Sequence, residues 1–141
     1  MTREPIIAAL FAKLSAISGV NLSGRVLRHY NELHPSDQPA LFLAPRAQTA
    51  TRKRGFPTVW TIDVSVYVYV KRAGNDTVPD TQMNTILDAI EAALNPAGGV
   101  EVQTLGGLCD HAWIEGAIET DEGVLGDQAI AIIPIRILVS F

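Results

Sequence analysis

The sequence predicts an α+β domain of two layers, with two helices on one face of a mostly antiparallel sheet. Residues 57–72 alternate between apolar and polar side chains over six repeats, which is typical of a strand with one buried face. Two other segments place apolar residues at helical spacing on one side. The predicted order is α-β-β-β-α-β-β-β, and a chain of 141 residues fits a single domain over residues 1–141.

The first helix is predicted to begin at Thr2, which can cap it, and to end near Gly19. Its apolar residues lie on one face: Ile6, Ile7, Leu10, Phe11, Leu14 and Ile17. The segment has a faint likeness to a signal peptide. Glu4 and Pro5 disturb its basic start and Lys13 interrupts its apolar run, so we expect a helix that belongs to the fold.

Two short strands are predicted next, at 24–30 and 39–45, separated by a loop of turn-forming residues at 31–38. Residues 46–57 follow, with the sequence RAQTATRKRGFP. Because they join two predicted strands, we expect them to form a long hairpin loop.

The strand at 57–72 should bury one face in the core. That face holds Trp60, Ile62, Val64, Val66, Val68 and Val70. The opposite face carries Tyr67 and Tyr69 and is expected to meet solvent or another chain.

The second half begins with a turn at 73–79 and a helix that Asp80 or Thr77 can cap. The helix has one apolar stripe: Met83, Ile86, Leu87, Ile90 and Leu94. Three strands should follow, with an acidic turn at 119–128 between the last two; they span 100–105, 109–119 and 128–141. Pro134 lacks an amide hydrogen and therefore predicts an edge or a bulge.

Charge is divided unequally along the chain. The formal net charge is −4, but residues 1–72 sum to +6 and residues 73–141 to −10. This division suggests a charged partner or self-association, unless the halves interleave in the fold and their charges mix on its surface.

Features of several protein classes are missing from the sequence. A single cysteine, Cys109, excludes an internal disulfide and fits a reducing compartment. No uncharged apolar run reaches the ~18 residues of a membrane span, so no membrane partner is predicted.

Cys109 and His111 would share a face of a strand, and a Cys–His dyad is conceivable. A buried thiol beside a surface histidine is the favoured interpretation, because no oxyanion-forming glycine loop or further partner is evident. We therefore predict that the protein is not an enzyme.

Two polar clusters have some of the residue types of metal sites: His29, His34 and Asp37 in one, and Glu119, Asp121 and Glu122 in the other. Neither has a recognised ligand spacing, and the second lacks the alternation and central glycine of a calcium loop. No metal and no cofactor is predicted.

The basic stretch contains Arg46, Arg52, Lys53 and Arg54 and no acid. It is interpreted as a phosphate-binding segment, as a solvated hairpin tip, or as a surface that docks on an acidic protein, including another copy. The charge division favours docking, and single-strand binding has only Phe56 nearby for stacking. The predicted interface residues are Arg46, Arg52, Lys53, Arg54, Tyr67, Tyr69, Glu119, Asp121 and Glu122.

The order of elements resembles the tail terminator proteins of long-tailed bacteriophages, also called tail-completion or minor tail proteins. Five stretches carry the resemblance: EPIIAALFAKLSAI, SDQPALFLAP, WTIDVSVYVYVKRAG, MNTILDAIEAALNP and IAIIPIRILVSF. They match the family's first helix, its proline-led strand, its long central strand, its second helix and its closing strand.

This resemblance implies a virion structural protein that is assembled in the bacterial cytoplasm. Family members form rings, typically of six subunits, at the head-proximal end of the tail tube, where they stop polymerisation and join the head. The implied partners are identical copies, the tail tube protein and the head–tail connector, without sequence-specific nucleic acid. The alternatives are another phage neck or tail-completion protein, a small nucleic-acid-binding module and, last, an enzyme.

Overall fold

The computed structural model describes residues 3–71, 79–96, 101–121 and 127–140. Within these ranges the chain forms two α-helices and six strands: α1 (Arg3–Ser15), β1 (Leu22–Gly24), β2 (Ala40–Thr51), β3 (Val59–Lys71), α2 (Pro79–Leu94), β4 (His111–Ile114), β5 (Glu119–Asp121) and β6 (Gln128–Ser140). The predicted caps Thr2 and Thr77 and the acid Glu122 lie outside the described residues.

The strands form one sheet in the order β1-β2-β3-β6-β4, and β5 pairs with β6 beside β4. Only the short β1–β2 pair is parallel among the described pairs. β3 and β6 pair along their whole length, from Val59–Ser140 to Lys71–Gln128. The predicted mixed fold, with a mostly antiparallel sheet, is therefore confirmed.

Both helices pack on the same face of the sheet. The predicted helical stripes are buried there, and the even-numbered residues of β3 from Ile62 to Val70 face them. Alternate residues of β6 complete the core: Ala129, Ala131, Ile133, Ile135, Ile137 and Val139. The period-two and helical patterns thus identified this core correctly.

Trp60 is an exception on the predicted core face, because it is only half-buried. The Arg3 guanidinium lies 4.5 Å from the centre of its ring. Trp60 lies at the beginning of β3, and a cation from α1 covers it there in place of apolar side chains.

Tyr69 lies in a second, smaller core on the opposite face of the sheet, with Phe42 and Leu33. The segment 25–38 crosses this face, and the Tyr69 hydroxyl donates a hydrogen bond to the Arg28 carbonyl at 2.9 Å. Tyr69 is 5% exposed, and burial raises the pKa of its phenol. The prediction that Tyr69 faces solvent or another chain is wrong, because a chain segment without regular strand structure covers it.

That segment also corrects the predicted strand at 24–30. The strand ends at Gly24, and short 3₁₀ turns form at Tyr30–Glu32 and Pro35–Asp37. The turns are capped by side chains, since His29 Nδ1 accepts from the Asn31 amide and His34 Nδ1 from the Ser36 amide. These histidines therefore have a local structural role.

The last three predicted strands are partly corrected. Residues 101–105 form no strand, and the strand predicted at 109–119 is divided into β4 and β5. Pro134 lies inside the central strand β6, opposite the break between β4 and β5, where the Glu115 amide donates to its carbonyl at 3.1 Å. The amide and the carbonyl of one strand residue point to the same side of the strand. The amide hydrogen that Pro134 lacks would therefore face the break between β4 and β5 and not a paired strand.

The two oppositely charged halves of the sequence interleave in the sheet. Lys71 is 3.6 Å from Asp127, and Arg136 pairs with Asp63 across the central strands. The Lys71–Asp127 pair offsets a small part of the charge division within one copy, whereas Asp63 and Arg136 each carry the minority charge of their own half. The cations of the basic stretch have no such partner among the described residues.

Candidate subunit interface

The basic stretch is part of an exposed β-hairpin. β2 continues through Thr51, so residues 46–51 are strand and only residues 52–58 form the loop. The predicted connection is confirmed, but the loop is shorter than expected. We call residues 46–59 the hairpin arm. Every arm residue from Arg46 to Pro57 is exposed.

The arm leaves the body of the sheet at a bulge. Pro45 pairs with Val64 and Ala47 with Asp63, so Arg46 is an extra residue without a partner on β3. Beyond Phe42, the outer side of β2 has no neighbouring strand among the described residues. The arm therefore presents an open strand edge.

Contacts with α1 hold the arm on its inner side. Arg3 Nε donates a hydrogen bond to Gln48 Oε1 at 2.5 Å, and the same guanidinium covers Trp60. Gln48 lies on β2 and Trp60 on β3, so a single residue of α1 contacts both strands of the hairpin.

The tip of the arm combines three cations with an exposed aromatic ring. The Phe56 amide donates to the Lys53 carbonyl at 3.0 Å, closing a turn in which Gly55 adopts a φ of +84°. Phe56 is 68% exposed. Neither Lys53 nor its neighbours Arg52 and Arg54 form an ion pair with any described residue.

A cleft of about 600 Å³ opens on the sheet face that the helices leave free. We call it the face cleft. Arg46, Tyr67 and Glu119 all line it, so the structure brings together three of the nine predicted interface residues. Its floor includes the half-buried apolar side chains of Ile132 and Pro134.

Arg136 places charge at the face cleft. Its Nε donates to Asp63 Oδ1 at 2.8 Å, and its Nη1 lies 4.0 Å from Glu115 Oε1. The hydrogen bond to Asp63 raises the pKa of Arg136 above its usual value. Arg136 is therefore already neutralised, whereas Arg46 has no ion-pair partner among the described residues.

The predicted acidic residues lie away from the cations at the tip of the arm. Glu119 and Asp121 are exposed on β5, which pairs with β6 at Ile130–Ile132. The arm lies near the opposite end of the sheet, where Val59 pairs with Ser140. Within one copy these acids therefore do not reach the tip.

A second cleft, which the sequence analysis missed, lies beside β4. Its volume is about 480 Å³, and we call it the edge cleft. Leu94, Ile114 and Ile118 give it an apolar lining, and Glu91 and Glu101 stand at it with exposed side chains. The sequence signal was weak, because these residues come from three separate segments.

Gln103 holds together the segments that line the edge cleft. Its side chain donates to the Asn95 carbonyl at 3.2 Å, and its own carbonyl accepts from the Ala112 amide at 2.9 Å. The segment after α2 is thereby fixed to β4. His111 Nδ1 accepts from the Gln103 amide at 3.0 Å, and the His111 ring stacks on Trp113 at 4.7 Å.

The surroundings of Cys109 disfavour a reactive thiolate. The Cys109 thiol lies 3.8 Å from the Gln103 carbonyl, and burial, with a smaller effect of the Asp110 charge, raises its pKa to about 11. The thiol stays protonated near neutral pH and is a poor nucleophile. In the described part of the chain, no group of three or more potential metal ligands occurs and no helix is long and apolar enough to cross a membrane.

The sequence matches no protein-family model and has no significant match among curated proteins. Its fold is similar to that of a chain in a solved structure described as the virion of a native gene transfer agent (GTA) particle. The TM-score is 0.57 at 12% sequence identity, and the match covers 95% of this chain and 93% of that chain. At this identity, the likeness shows that the two chains share a fold.

Proposed function

We propose that this chain is a structural protein of a phage or phage-like virion, and that it terminates the tail. The likeness to a virion chain over nearly the full length of both chains is the observation that carries the proposal. Because the match covers 95% of this chain, it includes most of the residues in the five stretches that resemble tail terminators. In this role the protein caps the head-proximal end of the tail tube, ends its polymerisation and offers a surface for the head–tail connector.

The exposed surfaces support a protein that binds other chains. A lone domain gains little from a strand that extends outward with an exposed phenylalanine at its tip. Among the described residues, its outer edge has no neighbouring strand and its three tip cations have no ion-pair partner. Contact with other chains would cover these groups. In the proposal, identical copies form a ring, most simply a hexamer, and the tail tube protein and the connector bind its two sides.

We also propose that the protein is not an enzyme. Cys109 is buried and protonated, and its neighbour His111 accepts a backbone hydrogen bond. Two of the four charged residues that line the face cleft, Glu115 and Arg136, form an ion pair with each other. A different neck or tail-completion role is the nearest alternative, because the shared fold does not distinguish positions along the head–tail axis.

Deleting the gene from the particle that encodes it tests the proposal. The expected result is tails of irregular, extended length and free heads, as seen by negative-stain electron microscopy, with normal particles restored by the wild-type chain. Purified protein should form a closed ring; a hexamer of the 15.2 kDa chain would weigh about 91 kDa. Normal tails attached to heads after deletion would overturn the proposal. Free heads beside normal-length tails would favour the alternative neck role.

A further inference from the structure

The arm tip and the edge cleft have complementary chemistry. The tip presents Phe56 beside the cations Lys53 and Arg54, all exposed. The edge cleft offers an apolar lining with the carboxylates of Glu91 and Glu101 beside it. An aromatic anchor surrounded by one sign of charge fits a pocket bordered by the other.

The two sites lie on opposite edges of the sheet, near the same end. A row of paired residues runs across the sheet from one site to the other. Gln48 pairs with Ile62, Ile62 with Ile137, and Ile137 with Ala112. Gln48 belongs to the open edge of the arm, and Ala112 lines the edge cleft. Two copies placed side by side in the same orientation therefore bring the arm of one next to the edge cleft of the other.

We propose that the arm tip of one copy docks in the edge cleft of the next, with Phe56 as the anchor and Glu91 and Glu101 pairing with the tip cations. The inference rests on the proposed function, since it specifies how the ring closes. Tip and cleft are different surfaces, so the contact is heterologous and each copy can engage two neighbours.

The proposed pairing also accounts for the unpaired charges. Neither the tip cations nor Glu91 and Glu101 form an ion pair with a described residue of their own copy. Docking between copies would neutralise both sets at once. Because the aromatic ring and the apolar lining leave water together, the contact gains hydrophobic free energy as well as charge pairing.

Photocrosslinking in the full chain tests where the tip docks. Phe56→p-benzoylphenylalanine protein is mixed at millimolar concentration with unmodified ¹⁵N-labelled protein, irradiated and mapped by mass spectrometry. The expected adducts join labelled to unlabelled copies at peptides containing Leu94, Trp113 or Ile118. Adducts at other sites, or none between copies, would overturn the proposal.

A mixing experiment tests the heterologous geometry. A Phe56→Asp variant keeps an intact cleft, and a Glu91→Arg/Glu101→Arg variant keeps an intact tip. Each alone should lose the ring, and an equimolar mixture should give a species of twice the monomer mass by sedimentation. Rings in either single variant, or no association in the mixture, would refute the pairing.

Matched controls separate this site from general surface effects. Val26→Asp places the same charge at another exposed apolar residue, which is 77% exposed, and should leave the ring intact. Glu32→Arg/Asp88→Arg makes the same charge change at two exposed residues outside both clefts and should also leave it intact. Phe56→Ala should weaken association at least tenfold, on the order expected for a central anchor.

The inference and the proposed function can fail separately. Rings that persist in both the tip variant and the cleft variant, on particles that need the protein for normal tails, would reject the docking and leave tail termination standing. Crosslinks in the edge cleft, together with normal tails after gene deletion, would support the docking and reject tail termination.

Discussion

Truncating Tyr69 should destabilise the domain without acting on an interface. The ring is 5% exposed, packs with Phe42 at a centroid distance of 5.8 Å and meets the edge of Tyr30 at 6.0 Å. Its hydroxyl holds the Arg28 carbonyl at 2.9 Å. Tyr69→Ala therefore removes both a filled core position and the hydrogen bond that ties the segment 25–38 to the sheet.

The expected loss can be divided between these two effects. Removing a buried aromatic ring costs about 3–5 kcal/mol. The hydrogen bond is worth about 0.5–1.5 kcal/mol, and its loss lies near the lower end because Arg28 is exposed and its carbonyl can bind water. At roughly 3 °C per kcal/mol for a domain of this size, Tyr69→Ala should lower the Tm by about 10–15 °C and Tyr69→Phe by about 2–4 °C.

Thermal unfolding followed by circular dichroism measures both changes, and limited proteolysis shows whether cleavage begins within 25–38. Tyr67→Ala is the matched control, because Tyr67 is a neighbouring tyrosine on the same face but only half-buried at the face cleft. It should lower the Tm by less than half as much. A Tyr69→Ala protein with unchanged Tm but defective assembly would refute the packing argument and restore Tyr69 to an interface.

Four further predictions follow from burial and charge. Val66 is 0% exposed, so Val66→Asp would bury an unpaired carboxylate at a cost of several kcal/mol and should abolish soluble protein, as judged by the soluble fraction. Replacing Arg52, Lys53 and Arg54 by Ser should change the free energy of unfolding by no more than about 0.5 kcal/mol but impair ring formation, as measured by mass photometry. The pKa of Cys109 is raised from 9.0 to about 11, which reduces the fraction of thiolate at pH 8 about 100-fold. The reaction of Cys109 with a disulfide reagent at pH 8 should therefore be slower by that factor in folded than in unfolded protein. The buried thiol also makes stability fall as the pH rises through 9 to 11, because the unfolded thiol ionises first; Cys109→Ala should reduce this loss in denaturation curves.

Each of these predictions has a contradicting outcome. Soluble, folded Val66→Asp protein would mean that β3 turns its other face to the helices. A triple serine variant that forms normal rings would reduce the tip to a solvated turn. If that variant instead loses DNA retention that the parent shows at physiological salt, the nucleic-acid-binding alternative would replace ours. Fast labelling of native Cys109 would place the thiol at the surface.

The sequence predicted the helix-covered half of the fold because there the periodic pattern and the burial coincide. Ile62 to Val70 alternate strictly, and one face of the sheet receives both helices. The prediction for the opposite face was wrong because an irregular segment covers Tyr69. Such a segment has no periodic pattern of apolar residues in the sequence. Residues 47–51 were assigned to a loop for a related reason: an arm exposed on both faces needs no apolar alternation.

The candidate interface was only partly predictable. Charge clustering located Arg52, Lys53 and Arg54 on one exposed turn, since like charges without local acids favour solvent or a partner. The edge cleft was not predicted, because it forms only in the folded chain. Glu91 and Glu101 line the same cleft only when α2 and β4 pack against the segment that Gln103 fixes. Amino-acid composition does not predict a concave surface of this kind.

The open edge of β2 has a consequence for the aggregation of single copies. An unpaired strand is a template for uncontrolled aggregation, and the five arm residues at 47–51 carry no charge. Arg46 precedes them and three cations follow, which is the flanking pattern of gatekeeper residues in aggregation-prone strands. Copies that meet arm to arm would repel one another through these cations, which disfavours stacking of their open edges into fibres.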